Sequence, residues 1–173
     1  MLVTLPDPAL VLLVGPSGAG KSTFARLNFA PTQIISSDTL RAMLSDDEAD
    51  QGASAEAFRI LRLLVVGRVS RRLTTVVDAT NLRAADRRDF VKLAGRHRLP
   101  AVAIAFDLPD ERYHAHNSSR ADRVVDAHVV ENQAARMADV LAALPGEGYE
   151  VHYVLGEAEL ARGTTVERRP VAP

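Results

Sequence analysis

The run Ala9-Leu10-Val11-Leu12-Leu13-Val14 leads straight into Gly15-Pro16-Ser17-Gly18-Ala19-Gly20-Lys21-Ser22-Thr23. An apolar strand entering G-x-x-x-x-G-K-S, with the helical pattern Thr23-Phe24-Ala25-Arg26-Leu27 after it, is the signature of a phosphate-binding loop. Glycines let the backbone curl until successive N–H groups point inward at phosphate oxygens. The helix that begins near Lys21 aims its positive end at the same spot. Lys21 is expected to reach the β- and γ-phosphates of a nucleoside triphosphate, and the Ser22 hydroxyl to ligate Mg²⁺, or Mn²⁺ in its stead. The whole stretch from Gly15 to Thr23 becomes a candidate nucleotide cradle.

A strand–loop–helix start of this kind belongs to parallel α/β architecture, and the remaining chain keeps that alternation. Strands are predicted at 33–36, 74–77, 101–106 and 149–155, which gives about five with the opening one. The earlier of them are nearly continuous in apolar residues, as expected for strands buried on both faces. Helices are predicted at 55–72, 83–96, 110–117 and 124–144; Phe58, Leu61, Val65 and Val69 mark the first at helical spacing. The acidic segment 45–52 lacks an apolar face and is expected to be a loop. The predicted fold is a P-loop NTPase: a central parallel sheet, helices on both faces and an α-helical lid. All 173 residues are expected to form a single domain, with the lid at about 113–130 and a flexible polar tail at 163–173.

Bulk properties narrow the setting. With 47% hydrophobic and 25% charged residues the chain has the composition of a soluble globular protein. The absence of cysteine excludes disulfides, Cys-ligated zinc and thiol catalysis, and accords with the cytoplasm. No run approaches the roughly 20 apolar residues that span a bilayer. The start lacks a secretory pattern, so no membrane partner is expected. A formal net charge of −1 means that any nucleic acid must be met by a local basic site.

In open parallel sheets ligands sit beyond the carboxyl ends of the strands, and several such ends carry chemistry. Ile35-Ser36-Ser37-Asp38 brings a carboxylate near the phosphate loop; Arg41 follows three residues later, on the same face of a helix. Asp38 also admits a reading as the cap of that helix, and Arg41 one as a solvated charge. Val77-Asp78-Ala79-Thr80-Asn81 offers a second carboxylate, which also reads as a structural partner of Arg41. Asp107 ends the next strand and reads as structural. Arg120 and Arg123, at i and i+3, suit either a cationic lid over a triphosphate or a solvated helix face. Asp46-Asp47-Glu48 reads as a solvated loop rather than a cation site. His97, His114, His116, His128 and His152 show no ligand spacing; His116 stays open because it adjoins the lid.

Taken in order, Gly15–Thr23, Ile35-Ser36-Ser37-Asp38 with Arg41, Ser45-Asp46-Asp47-Glu48, Val76-Val77-Asp78-Ala79-Thr80-Asn81 and Asn117-x-x-Arg120-x-Asp122-Arg123 resemble one family. It is the 5′-OH polynucleotide kinase domain of bacterial polynucleotide kinase-phosphatase, the end-healing and end-sealing RNA repair enzyme. The match runs from about Leu10 to the Val166-Glu167-Arg168-Arg169-Pro170 tail. The resemblance implies Asp38 as the general base for the 5′-hydroxyl of a DNA or RNA end. It implies Arg41 on the neighbouring strand phosphate, Asp78 orienting Arg41, Asp78 and Asn81 on the acceptor side, and Arg120 and Arg123 on the donor phosphates. The relatives carry arginine where this chain has His116, which puts that arginine's role in doubt here. In the family the module usually belongs to a longer protein with a phosphatase and a ligase-like domain.

The implied function is an ATP- and Mg²⁺-dependent (or other NTP-dependent) polynucleotide 5′-hydroxyl kinase acting in RNA or DNA end repair. A P-loop kinase of a small-molecule hydroxyl (sugar, nucleoside or antibiotic) shares its donor site. A non-catalytic nucleotide-binding module needs no carboxylate beside the loop. Aromatic content of 5% argues against an extended base-stacking platform. Oligomeric state stays open, a homodimer included.

Overall fold

The computed structural model describes residues 1–113 and 125–171. In chain order the regular elements are β1 (Leu2–Asp7), β2 (Leu10–Val14), α1 (Lys21–Asn28), β3 (Ile34–Ser36), α2 (Ser37–Ser45), α3 (Ser54–Val69), β4 (Thr75–Asp78), α4 (Ala84–Arg96) and β5 (Ala101–Phe106). Beyond residue 124 come α5 (Ala127–Ala134), α6 (Met137–Ala143), β6 (Val151–Leu155), α7 (Glu157–Ala161) and β7 (Thr165–Pro170). Five strands form one parallel sheet in the order β3-β4-β2-β5-β6, as expected. The chain steps outward to β3, returns through β4, then crosses to β5 on the far side of β2. The carboxyl end of β2 is therefore the switch point where such sheets bind ligands.

Burial follows the pleat. Leu10, Leu12 and Val14 of β2 join the core under α3, α4 and α6, through Leu61, Val65, Phe90 and Val140. Val11 and Leu13 face the opposite core with Phe24 of α1 and Val130 of α5. Every residue of β2 and β5 is buried, the two-sided covering that their unbroken apolar runs require.

Two expectations are corrected. The stretch 163–173 is not simply a fraying tail: β7 pairs in parallel with β1, from Leu2 opposite Thr165 to Asp7 opposite Pro170. Neither strand of this second, two-stranded sheet is marked by a long apolar run. β1 is fixed by Val3 and Leu5, both buried in the α1-side core. β7 is held by its backbone ladder and by Arg168, whose Nη2 donates to Gln33 Oε1 at 2.8 Å and whose guanidinium covers the Phe29 ring at 5.3 Å. The helix expected over 124–144 is two helices, α5 and α6, separated by a turn at 135–136. The segment 45–52 is a loop, closed by left-handed Asp46 (φ 58°) and a short 3₁₀ turn at Gln51–Ala53. The lid expected at about 113–130, with His116, Arg120 and Arg123, falls largely outside the described residues. Among those described, no helix is long and apolar enough to cross a membrane.

Candidate functional site

The phosphate loop is shaped by backbone that other residues resist. Gly15 takes φ +152°, and a Cβ there would lie 3.0 Å from the Phe106 carbonyl oxygen. Gly20, the N-cap of α1, takes φ +88°, a left-handed value that costs glycine little. The loop is braced from β4: Gly15 N–H donates to the Thr80 carbonyl at 3.0 Å. Lys21 is buried, and its ammonium donates to the Gly15 and Pro16 carbonyls at 2.9 and 2.6 Å. The lysine thus lies along the loop that a triphosphate would enter.

Asp38 stands in the first turn of α2, and its role as a cap is already taken. The Ser36 hydroxyl is the N-cap and accepts from Thr39 N–H at 3.4 Å. Asp38 instead forms an ion pair with Arg41 and accepts a hydrogen bond from the Ser37 hydroxyl at 3.3 Å. Nor is Arg41 a solvated charge, since it is 4% exposed. Its Nε donates to the Glu48 carbonyl at 2.9 Å, so the acidic loop positions the guanidinium through main chain. The helical i, i+3 spacing read in the sequence is the geometry of this pair.

Asp78 ends β4 with its carboxylate on α1. It lies beside Ser22 and within the field of Lys21. Burial raises its pKa above 3.8, and the nearby Asp38 pushes the same way; Lys21, Ser22 and Arg26 oppose it. Asp78, which the resemblance implies as the orienter of Arg41, lies beside Ser22 and Lys21, and Arg41 is paired with Asp38. Asn81, expected on the acceptor side, braces the backbone. It is buried at φ 50°, and its amide donates to the Leu13 carbonyl at 2.7 Å. Arg87, ion-paired with Glu147 at 2.6 Å in the interior, donates to the Asn81 carbonyl at 2.9 Å. The Asp-Ala-Thr-Asn block is therefore the frame that joins β4 to the phosphate loop.

Lys21, Ser22, Asp38, Arg41 and Asp78 line one cavity of about 800 Å³. Its floor is the loop from Ser17 to Thr23, with Asp78, Ala79 and Thr80 beside it. Toward the β3 edge of the sheet the wall is Asp38, Arg41, Gln51, Ser54 and Phe58; elsewhere it includes Gln133, Leu160, Gly163 and Thr164. Gln133 was not apparent in the sequence: its Oε1 accepts from Ser17 N–H at 2.8 Å, tying α5 to the loop across 116 positions. Leu160 lies in α7, and Gly163 and Thr164 in the turn from α7 to β7, at the start of the expected tail. Asp107, exposed at the end of β5, is not part of this lining.

The oxygen donors suit a small hard cation. Mg²⁺ is commonly held by one or two protein oxygens together with phosphates and water. Ser22 with Asp78 behind it supplies such a pair, and Asp78 is a buried carboxylate that a cation would relieve. Among the described residues no cluster of three or more His, Cys, Asp or Glu could hold a metal alone.

A central parallel strand ending in this loop, with lysine, hydroxyl and two carboxylates on one cavity, defines a P-loop NTPase with a kinase-like, nucleotide-binding site. Residues 10–144 match the family described as an AAA domain, and the chain belongs to that family. Among solved structures it is similar to a chain of the Pnkp1/Rnl/Hen1 RNA repair complex, with 22% identity and a TM-score of 0.64, over 79% of this chain and 46% of that one. A second Pnkp1/Rnl/Hen1 structure matches at 27% identity and TM-score 0.51, over 61% of this chain and 38% of that one. The chain thus spans less than half the length of either relative. Kti12 from Chaetomium thermophilum, in complex with ADP-AlF₃, matches at 17% identity and TM-score 0.61, over 88% of this chain and 92% of that one. No curated protein sequence matches the chain.

Proposed function

We propose that this domain is a phosphotransferase that moves the γ-phosphate of ATP or another NTP to the 5′-hydroxyl of an RNA or DNA end. The observation that carries the reading is the Asp38–Arg41 pair on the cavity wall facing the phosphate loop. A module that only binds nucleotide needs no carboxylate there. Similarity to chains of an RNA repair complex supports the choice of a polynucleotide as acceptor.

In this reading the loop N–H groups and Lys21 hold the β- and γ-phosphates. Lys21 must leave the Gly15 and Pro16 carbonyls to do so. Ser22 and Asp78 would hold Mg²⁺, which supplies charge neutralisation on the phosphate oxygens when bound. The acceptor oxygen forms a bond to the γ-phosphorus as the bond to the β–γ bridging oxygen breaks. Its proton passes to Asp38. In a loose transition state that proton leaves late, so Asp38 mainly orients the hydroxyl. Arg41, held by Asp38 and the Glu48 carbonyl, contacts the acceptor phosphate next to that hydroxyl. Arg120 and Arg123, which lie outside the described residues, would complete the charge on the donor side. The domain would act either on its own or as the kinase module of a longer end-repair protein with phosphatase and ligase modules.

The test is transfer from γ-labelled ATP to 5′-OH RNA, 5′-OH DNA and a nucleoside panel. Label on the oligonucleotides supports the proposal. Label on a nucleoside or another small alcohol, with none on the oligonucleotides, overturns it in favour of a small-molecule kinase.

A further inference from the structure

Four of the five phenylalanines are buried: Phe24, Phe29, Phe90 and Phe106 are at most 5% exposed. The fifth, Phe58, is 36% exposed and lines the cavity. Its helix does not need it for the core, because α3 buries Ala57, Leu61, Val65 and Val69, a stripe at i, i+4, i+8 and i+12. Phe58 lies one residue, about 100° of helix rotation, off that stripe. The ring therefore belongs to the cavity wall rather than to the core stripe.

The fold decides which half of the cavity that occupant belongs to. α2 packs on α3, and Asp38 and Arg41 come from α2. Phe58 therefore shares the β3-edge wall with the groups that would face the acceptor, whereas Gln133 reaches the loop from α5. Beside the ring the surface is polar but already paired, with the Ser54 hydroxyl donating to Gln51 Oε1 at 3.2 Å. A flat apolar face set in a polar rim, next to a buried arginine, suits a ligand that is part ring and part anion.

We infer that Phe58 is the stacking surface for the nucleobase of the acceptor's 5′-terminal nucleotide, with Arg41 taking the phosphate that follows it. The inference rests on the polynucleotide reading above and deepens it. It narrows the expectation from low aromatic content: there is no extended platform, but one ring serves the one base beside the reacting hydroxyl. Stacking is blind to base identity because every base has a π-face, so the site would accept ends of any sequence.

The experiment compares a 5′-OH oligonucleotide with the same strand lacking its 5′-terminal base, using wild-type protein, Phe58→Ala, Phe58→Leu and Phe58→Tyr. The expected result is an acceptor KM raised about 10-fold by Phe58→Ala on the normal strand, the scale of one lost base–aromatic contact. KM for ATP stays unchanged. Wild type on the abasic strand shows the same loss, and Phe58→Ala adds nothing to it. Phe58→Tyr restores the KM on the normal strand, whereas Phe58→Leu, which keeps apolar volume without a π-face, does not. Equal penalties on normal and abasic strands, or a loss carried by KM for ATP, overturn the inference while leaving the kinase reading intact. If wild type labels neither strand but labels a small alcohol, the polynucleotide reading itself fails and this inference goes with it.

Discussion

Three side chains near the phosphate loop illustrate how context sets chemistry at the scale of single residues. Asp38, Asp78 and Ser36 are all oxygen-bearing residues at the carboxyl end of a strand or just beyond it, yet they do different work. Ser36 caps α2, so Ser36→Ala is expected to cost about 1 kcal/mol, seen as a lower Tm, while kcat falls little. Asp38→Ala should do the reverse, with transfer falling about 10²–10⁴-fold, the usual range for a lost acid–base group. Asp78 pays for its burial in a way that pH exposes. Its pKa in the folded chain is raised above 3.8, so the folded state binds the proton more tightly than the unfolded one. Its contribution to stability is full below that unfolded value and is lost as pH rises through the folded pKa. In Mg²⁺-free buffer Asp78→Asn should therefore gain Tm over wild type as pH rises above about 4. A difference in Tm independent of pH contradicts this. The same residues show what the sequence could convey. The phosphate loop was readable because its function lies in its own backbone and spacing. Asn81 is less legible, because an asparagine after a strand looks like a ligand-binding group. Only its φ of 50° and the Leu13 carbonyl turn it into a brace.

Elements explain the larger surprises. Helix and strand patterns are legible when one face is apolar, and that condition holds for β2, β5 and α3. It fails for β7, whose Thr165-Val166-Glu167-Arg168-Arg169-Pro170 run is held by backbone pairing to β1 and by Arg168 on Gln33 and Phe29. Those partners lie between α1 and β3, the connection that leads from the phosphate loop to Asp38. Deleting residues 165–173 uncovers Val3 and Leu5, both fully buried. The deletion is expected to lower Tm by several degrees, since about 1 kcal/mol is worth 2–4 °C in a domain this size. Arg168→Ala should cost less than the deletion. An unchanged Tm in a thermal melt of the deletion variant would show that the second sheet contributes nothing to stability. Gln133 was invisible for a related reason: its partner, Ser17, lies 116 positions away, and no local pattern announces such a contact.

For the whole molecule, sheet order ties these parts together. Because β2 is central and the chain reverses direction across it, one strand end faces α2 and α3 on one side and the β5–β6 half on the other. A donor and an acceptor can then meet over the loop, which is the arrangement phosphoryl transfer needs. The parallel fold and the loop followed from the order of apolar runs; the acceptor did not, because its recognition depends on which side chains three separate elements bring to one wall. Arg41 distinguishes acceptors most sharply at this scale. Arg41→Ala is expected to impair 5′-OH strands with a neighbouring phosphate far more than bare nucleosides, in parallel kcat/KM measurements. The central claim, that the cavity joins a triphosphate to a nucleic-acid end, is tested most directly by transfer of label from γ-labelled ATP to a 5′-OH oligonucleotide. The account predicts Mg²⁺-dependent labelling by wild type that Lys21→Ala and Asp38→Ala each reduce severely. Absence of label on RNA and DNA ends alike, with label on a small alcohol, would contradict it.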